Sequence, residues 1–536
     1  MGEEHSTAKG VFILSVAGMM AKCISVFYTP FLRSILGIEG YGVYSQTTEI
    51  FVFIYAITCM GSQPAVAKVV SELVALGNEE GARKALRISR RFYIMIGGII
   101  GTLMVFLAVP LSKIFNIPET AYGIMALGPC VLITCILSAY RGYMQGKGYM
   151  TQIAVSQVIE QFINVIISLL FAYILVNVSL ASGSAGAQIG TSVGALFAVL
   201  YLVYSLDKKF NQEEEIEEQA VGRRISEKKI LRKVIMYSIP ITLSAGMQNL
   251  GGLIDMINVK NRLLAAGFES TVANGLYGEL GLYKTLLGVP LVIITSIGTT
   301  TLPSIAKSMV LNARREVKVK IAYAFKMAFL IAIPSAFGLS VLSELIYITL
   351  YGESVGHELM MIGAFILILS TITQIQAVIM QSVNKLYFVL GTFMIGIVTK
   401  IVINYIFVGI ADINIYGVLI GNLFWHLIPA VLNHKKLCQM MRMRLSMPRL
   451  LIKPVTASVV MYGVIYLLKL PLDFVFNFIP LSRLTAAPIT VLIAAIGGFV
   501  YLYIMIAIGG IRKSDIETLS PKIIRIMPRF MRRKLR

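Results

Sequence analysis

Residues 484–510 read LTAAPITVLIAAIGGFVYLYIMIAIGG, and this stretch contains no charged side chain. A helix needs about 20 predominantly apolar residues to cross the roughly 30 Å of bilayer hydrocarbon. The stretch therefore predicts a membrane-spanning helix, and thirteen further apolar runs precede it. Together they predict an all-α polytopic membrane protein with fourteen transmembrane helices. The runs lie near residues 11–36, 43–66, 92–112, 121–140, 151–176, 182–206, 234–259, 273–303, 327–350, 358–381, 386–410, 414–433, 454–477 and 484–510.

The composition indicates the same class. Apolar residue types make up 57% of the 536 residues and charged residues 14%, against about 25% charged residues in an ordinary soluble protein. These values exclude a soluble globular enzyme, a disordered chain and a secreted disulfide scaffold. The five cysteines are scattered without the spacing of a disulfide framework or a metal site, so we expect no metal.

The positive charge lies mostly on one side of the predicted spans. The formal net charge is +21. With a cytoplasmic N-terminus, 39 of the 48 Lys and Arg residues fall in cytoplasmic segments. The positive-inside rule then places both termini in the cytoplasm of a multi-pass cell-membrane protein, and the charge needs no nucleic-acid partner. Six cations fall in external loops, namely Arg33, Lys113, Lys260, Arg262, Lys469 and Arg483.

Short motifs recur in the two halves of the chain, in the same order and at offsets of 231 to 239 residues. Because each half holds six predicted spans, both halves start on the same side, which predicts a parallel repeat about the membrane normal. We predict an N-lobe over 1–206, a charged cytoplasmic linker over 207–233, a C-lobe over 234–438, two extra spans within 439–510 and a basic cytoplasmic tail over 511–536. The paired motifs begin at Tyr41 and Tyr277, Pro64 and Pro303, Met144 and Met380, and Gly186 and Gly417.

Charged and polar residues lie inside several predicted spans. Intramembrane charge costs about 2.5–3.5 kcal/mol per residue on insertion scales and normally faces an interior cavity. Lys22 and Arg33 are close to three helical turns apart, so they share one helix face. The candidate substrate-binding cations are Lys22, Arg33, Arg262, Lys284 and Lys400. The candidate polar and coupling residues of the same cavity are Glu49, Gln157, Glu160, Asp255, Glu279 and Asn404.

These cations come from both predicted lobes, which indicates a positive cavity and an anionic substrate. The structural alternative is that the polar residues form hydrogen bonds and ion pairs that hold helices together. No GxxxxGK[ST] phosphate loop occurs, and the external loops lack clustered carboxylates or a Ser/His/Asp arrangement. We therefore expect no ATP hydrolysis and no enzyme.

Several stretches are familiar as a set: residues 22–37, 40–44, 61–68, the run Tyr140-Arg141-Gly142-Tyr143-Met144-Gln145-Gly146, the run Ser156-Gln157-Val-Ile-Glu160-Gln161, and residues 239–278. With these stretches the chain resembles the multidrug/oligosaccharidyl-lipid/polysaccharide (MOP) exporter superfamily over about residues 9–510. Within it, the chain is similar to the polysaccharide transporter branch that includes stage V sporulation protein B and the peptidoglycan lipid II flippases.

The resemblance implies two six-helix lobes plus two extra helices, alternating access, and a cationic cavity for a polyprenyl-pyrophosphate-linked saccharide. The expected function is a flippase that moves this lipid to the outer leaflet. Its expected partners are that substrate and membrane lipids, and we expect a monomer. Glu160 and Asp255 would orient the cations or take up a coupling cation, H⁺ or Na⁺. We expect no other cofactor, with the membrane potential as an energy source.

Two other functions stay open at this point. A drug/cation antiporter of the same superfamily would have a predominantly acidic cavity. A non-transporting scaffold for envelope or spore assembly would act through its basic tail, and its intramembrane lysines would be dispensable.

Overall fold

The computed structural model describes residues 2–214, 226–311, 313–383, 385–441, 446–476 and 482–511. Within these ranges the chain forms sixteen α-helices, two short 3-10 turns (Pro118–Thr120 and Asn414–Tyr416) and no strands. Most of the predicted basic tail and residues 215–225 of the predicted linker lie outside the described residues. The helices are α1 Gly2–Thr58, α2 Ser62–Ala75, α3 Glu79–Ile114, α4 Ala121–Gly146, α5 Met150–Leu175, α6 Leu180–Glu214, α7 Glu227–Ala265, α8 Ser270–Val310, α9 Arg314–Val341, α10 Ser343–Tyr351, α11 His357–Gly363, α12 Ile366–Ser382, α13 Leu386–Phe407, α14 Gly417–Met441, α15 Met447–Phe476 and α16 Arg483–Ala507.

Eleven helical stretches in the described ranges are long and apolar enough to cross a membrane. The count rises to twelve if α11 and α12, which meet at a 53° bend, form one broken span. The chain is thus an all-helical, multi-pass membrane protein, with fewer recognisable spans than the fourteen that the hydropathy pattern predicts.

Two places in the chain explain most of the difference between the predicted and the recognised number of spans. The first two runs join in one 60-residue stretch, Val16–Ala75, which the single residue Gly37 kinks with φ 69° and ψ 176°. This stretch is about three times the roughly 20 residues that one crossing requires. The seventh run lies in α7, whose polar residues keep it outside the set of apolar stretches.

The chain divides into two compact units. The first comprises Met1–Leu282 and Phe393–Gly421, and the second comprises Tyr283–Thr392 and Asn422–Arg536. The first unit therefore holds α1 to α7, the start of α8 and most of α13. The second holds the rest of α8, α9 to α12, most of α14, α15 and α16. The lobe boundaries inferred from the sequence repeat stay a prediction.

In the first unit, the repeated Tyr-Gly motif forms a helix–helix contact. A Cβ on Gly42 of α1 would overlap the carbonyl oxygen of Asn274 on α8, and a Cβ on Gly278 would overlap the carbonyl oxygen of Ile38. Only glycine leaves room for two backbones this close. Gln46 adds a buried hydrogen bond from its Nε2 to Asn274 Oδ1 at 3.2 Å. The two glycines related by the sequence repeat thus lie against each other's helices.

The core of the second unit forms where α9, α10, α15 and α16 pack together. Leu342, Met461, Ile493 and Tyr501 are buried members of this core. The hydroxyl of Tyr501 donates to the carbonyl of Leu330 at 3.1 Å, which ties α16 to α9. Close packing combined with interhelical hydrogen bonds of this kind holds helices together in lipid.

Candidate functional site

A buried ion pair joins α7 to α13 inside the first unit. Lys400 Nζ lies 2.9 Å from Asp255 Oδ1, and the two side chains are 3% and 1% exposed. Asn404, one turn further along α13, donates from Nδ2 to the same oxygen of Asp255 at 3.0 Å. Lys400 also donates to the carbonyl oxygen of Gly251 at 3.0 Å. The carboxylate, the ammonium and the amide thus form one compact polar group between two helices.

Glu49 of α1 lies at the edge of this group. A Cβ on Gly252 would overlap the Glu49 carboxylate, so this carboxylate rests on the backbone of α7 beside Gly251. Next to Asn404, a Cβ on Gly421 would overlap Asn404 Oδ1. Gly252 and Gly421 therefore leave the space that the side chains of Glu49 and Asn404 occupy. We call Glu49, Asp255, Lys400 and Asn404 the central polar cluster.

The contact between α7 and α13 continues beyond the cluster. Asn258 Nδ2 donates to the carbonyl of Ile401 at 3.1 Å. Arg262 Nε donates to the carbonyl of Tyr405 at 2.8 Å, and its guanidinium lies 4.0 Å from the centre of the Tyr405 ring. A planar guanidinium is suited to both contacts at once.

The helical period explains why these groups meet. On α7, the residues at 251, 255, 258 and 262 follow an i, i+4, i+7, i+11 spacing, which defines one helix face. On α13, the residues at 400, 401, 404 and 405 repeat after four positions and meet that face. The polar face of α7 is therefore satisfied by protein rather than exposed to lipid.

Chemically, Lys400 and Asp255 form a closed pair of opposite charges within the cluster, not an open cationic site. A buried charge is stable only while its partner and hydrogen bonds stay in place. An anionic ligand that reaches Lys400 must therefore compete with Asp255. Protonation of Asp255, or a cation bound to it, would weaken its hold on Lys400.

A second ion pair, between a buried arginine and a half-buried glutamate, joins α4 to α5. Arg141 Nη2 lies 2.6 Å from Glu160 Oε2, and Arg141 Nε donates to Ser156 Oγ at 3.1 Å. The Ser156 hydroxyl donates in turn to the carbonyl of Ile153 at 2.7 Å. The guanidinium is held at two of its nitrogens, which fixes its orientation.

The structure brings some of the predicted site residues together and leaves others apart. Glu49, Asp255, Lys400 and Asn404 form the central polar cluster, and Arg262 lies two turns from Asp255 on the same face of α7. The remaining candidates lie elsewhere. Glu160 pairs with Arg141, and Gln157 is half-buried on the same helix, α5. On the first part of α1, Lys22 is half-buried and Arg33 is buried; Glu279 is half-buried on α8, and Lys284 belongs to the second unit. No ion pair of Lys22 occurs among the described residues.

Two buried cations were not among the candidates. Arg141 follows an apolar run directly, so hydropathy assigns it to a cytoplasmic segment. Lys260, counted with the external loops, is 0% exposed within α7, and its Nζ lies 2.9 Å from Glu119 Oε2. Lys260 lies only five residues after Asp255, and this closeness to an intramembrane charge could have indicated that it belongs to the same helix, which continues to Ala265.

A family model and two relatives in Bacillus subtilis match large parts of this chain. The model of the polysaccharide biosynthesis protein family matches residues 7–309. Stage V sporulation protein B of Bacillus subtilis is 25% identical over 348 residues, covering 65% of this chain and 67% of that protein. The lipid II flippase MurJ of Bacillus subtilis is 23% identical over 530 residues, covering 94% of this chain and 96% of that protein.

A solved structure shares the fold. The inward-facing conformation of a multidrug resistance MATE family transporter of the MOP superfamily superposes with a TM-score of 0.65. The match covers 81% of this chain and 98% of that chain, at 16% sequence identity. At this identity the likeness concerns the fold alone.

Proposed function

Because the chain belongs to the polysaccharide biosynthesis protein family and has the fold of MOP-superfamily transporters, we propose that it is a lipid-linked saccharide flippase. The substrate class is an undecaprenyl-pyrophosphate-linked saccharide, either a peptidoglycan precursor or a polysaccharide repeat unit. The protein moves the headgroup of this lipid from the inner to the outer leaflet by alternating access. The similarity to the lipid II flippase MurJ over 94% of this chain supports that class.

The observation that carries the proposal is the central polar cluster. A pyrophosphate is an anion, and Lys400 is a buried cation whose present partner is Asp255. In the proposed cycle, the pyrophosphate displaces Asp255 from Lys400, and a coupling cation, H⁺ or Na⁺, neutralises the released Asp255 carboxylate, so that neither buried charge is left unpaired. Lys22, Arg33 and Arg262, which belong to the same unit as the cluster, supply further positive charge in this proposal.

The proposed architecture has fourteen transmembrane helices in two six-helix lobes plus two C-terminal helices. Val16–Ala75 crosses the membrane twice, with Gly37 at the turn, and α7 crosses once despite its polar face. Both termini lie in the cytoplasm, as the distribution of Lys and Arg predicts. The protein acts as a monomer and takes its energy from the membrane potential or from a coupling cation, H⁺ or Na⁺, at Asp255 or Glu160.

The fold likeness to a MATE transporter makes a drug/cation antiporter the second candidate. That function requires carboxylates that are available to a cationic drug. In the first unit, Asp255 is held by Lys400 and Asn404, and Glu160 is held by Arg141. This pairing favours the flippase over the antiporter.

The test in cells is the accumulation of precursor when the protein is depleted from the bacterium that carries it. We expect undecaprenyl-pyrophosphate-linked saccharide to accumulate in the inner leaflet, where externally added enzymes cannot reach it. Sensitivity to cationic drugs is measured in parallel. A rise in drug sensitivity without precursor accumulation would support the antiporter. No change in either would favour the scaffold.

A further inference from the structure

Two cavities lie along the same helices of the second unit. The first has a volume of ≈ 480 Å³ and lies between α9, the start of α15 and the end of α16. Three cations line it: Lys326 on α9, and Arg449 and Lys453 on α15. No acidic side chain lines this cavity among the described residues. We call this volume the cationic mouth.

The local geometry keeps the mouth positive. Arg449 and Lys453 are four residues apart and share a helix face, and both are exposed. They lie in the first two turns of α15, where the positive end of the helix dipole adds to their charge. Lys453 Nζ donates to the carbonyl of Gly509 at 2.9 Å, just after α16. This contact offsets the negative end of α16, which would otherwise repel an anion.

The second cavity is apolar and adjoins the first. It has a volume of ≈ 590 Å³ and is lined by residues of α8, α9, α10, α15 and α16, and Leu330 lines both cavities. From α9 to the residue that follows it, the lining residues Lys326, Leu330, Pro334, Gly338 and Leu342 recur every four positions. At 1.5 Å per residue, this row of residues spans about 24 Å along the helix axis, measured from Lys326. Half of the bilayer hydrocarbon is about 15 Å thick, so the row exceeds the depth of one leaflet.

We propose that the cationic mouth and the apolar cavity together bind an anionic phospholipid. Its phosphate lies among Lys326, Arg449 and Lys453, and one acyl chain extends past Leu330 into the apolar cavity. Basic pockets between transmembrane helices on the cytoplasmic side are suited to such headgroups. The predicted orientation assigns the lipid to the cytoplasmic leaflet. The assignment does not depend on what the protein transports.

The substrate itself would carry the same phosphate chemistry, but the mouth fits a small headgroup better. Arg449 and Lys453 are exposed at a helix end, so a bilayer lipid reaches them by lateral diffusion without any helix movement. A polyprenyl pyrophosphate that carries sugars presents a much larger headgroup than a glycerol phosphate. We therefore assign the mouth to a phospholipid.

The test compares lipid retention by two triple variants of the full chain. K326A/R449A/K453A removes the mouth, and K228A/K229A/R232A removes two lysines and one arginine that are exposed at the start of α7. Each protein is purified in detergent and titrated with phosphatidylglycerol or phosphatidylcholine, and bound lipid is counted by native mass spectrometry. Each Lys or Arg near the surface attracts an anionic lipid, and three of them are removed, so we expect the mouth variant to bind phosphatidylglycerol about 100-fold more weakly than wild type. The control variant keeps wild-type binding.

A second pair of variants tests the apolar half of the site. Gly498 lines the apolar cavity, and a Cβ there meets nothing within 4 Å, so G498L places a larger side chain at the cavity wall from an unobstructed position. Gly463 on α15 is equally unobstructed but does not line the cavity, so G463L is the matched control. We expect G498L to lower phosphatidylglycerol retention severalfold while G463L leaves it unchanged.

Four results would overturn the assignment. Equal binding of phosphatidylcholine and phosphatidylglycerol would remove the role of the cations. Equal phosphatidylglycerol binding by wild type and K326A/R449A/K453A would place the lipid elsewhere. Undecaprenyl pyrophosphate that binds and is not displaced by phosphatidylglycerol would identify the mouth as a substrate site. Inorganic phosphate that behaves in the same way would identify it as a site for a free anion. These assays measure binding alone, so a failure of the flippase proposal would not change them.

Discussion

At the residue scale, the Lys400–Asp255 pair determines how the central polar cluster responds to mutation. Removal of one partner leaves an unpaired charge in a buried site, which costs about 3–5 kcal/mol. We therefore expect Lys400→Met and Asp255→Leu each to lower stability by that amount. The double variant, which removes both charges of the pair, should recover most of the loss. Thermal unfolding in detergent, with a double-mutant cycle, measures the effect.

The matched control is the pair formed by Lys469 and Glu344, whose nitrogen–oxygen distance is 2.6 Å but whose carboxylate side chain is 41% exposed. Lys469→Met should cost only up to about 1 kcal/mol, because water screens such a pair. Equal losses for Lys400→Met and Lys469→Met would contradict the description of the central pair as buried.

The Arg141 guanidinium gives a second prediction at this scale. Lysine has one compact ammonium group and cannot reach Glu160 and Ser156 as the planar guanidinium does. Arg141→Lys should therefore lower stability by about 1.5–3 kcal/mol, the range for a hydrogen bond to a charged group. Ser156→Ala removes the same hydrogen bond, so the two changes should be far from additive. Strict additivity in the unfolding free energies would show that the Arg141–Ser156 bond contributes nothing.

The sequence predicts which residues are polar at depth, but not their partners. Asp255 and Lys400 are recognisable because charge is rare inside apolar runs. The sequence could not predict that they pair, because they lie 145 positions apart on different helices and no local spacing relates them. Arg141 was missed for the opposite reason: it follows an apolar run directly, where hydropathy marks a loop, while α4 continues to Gly146.

At the scale of the elements, the close approach of α1 and α8 depends on Gly42. Gly42→Ala would force its Cβ into the carbonyl of Asn274, so the helices must separate. Such overpacking costs about 1–3 kcal/mol. Gly18→Ala is the control on the same helix, because a Cβ there meets nothing within 4 Å. Thermal unfolding of both variants measures the difference in stability. A Gly42→Ala protein as stable as the Gly18→Ala protein would disprove the tight contact.

Helices α1 and α7 show the limit of hydropathy for counting membrane spans. The long apolar runs that became α3, α5 and α16 are recognisable from composition alone. By contrast, α1 contains two helical segments that meet at Gly37, where a non-helical backbone (φ 69°, ψ 176°) bends the chain without a loop, so two predicted spans follow each other directly. In α7, hydrogen bonds to α13 satisfy the polar face, so the helix forms although its sequence is too polar to score as a span.

At the scale of the whole molecule, the family resemblance read from the sequence is confirmed by the family match over residues 7–309 and by the shared fold. The orientation stays a prediction, and accessible cysteines test it. In a cysteine-free background, Lys229→Cys should react with an impermeant reagent only after the membrane is permeabilised, because it lies in the predicted cytoplasmic linker. Asn177→Cys, exposed between α5 and α6, should react in intact cells. The reverse pattern would invert the topology.

The coupling of transport to energy also belongs to this scale. The sequence contains no phosphate-loop motif for ATP, and the proposed energy source for flipping is the membrane potential, an ion gradient or the supply of precursor. The cytoplasm is electrically negative and the pyrophosphate is an anion. Movement of each net negative charge outward therefore releases about 2.3 kcal/mol per 100 mV. The account predicts a dependence on potential without any dependence on ATP.

The most direct measurement reconstitutes the purified protein in liposomes with labelled undecaprenyl-pyrophosphate-linked saccharide. A potassium-diffusion potential is set to zero or to inside-negative, and headgroup exposure on the outer leaflet is followed with an impermeant probe. We predict exposure well above that of protein-free liposomes, faster at inside-negative potential, and absent for the Lys400→Met/Asp255→Leu double variant. Exposure no greater than that of protein-free liposomes at every potential and ion gradient would contradict the flippase account.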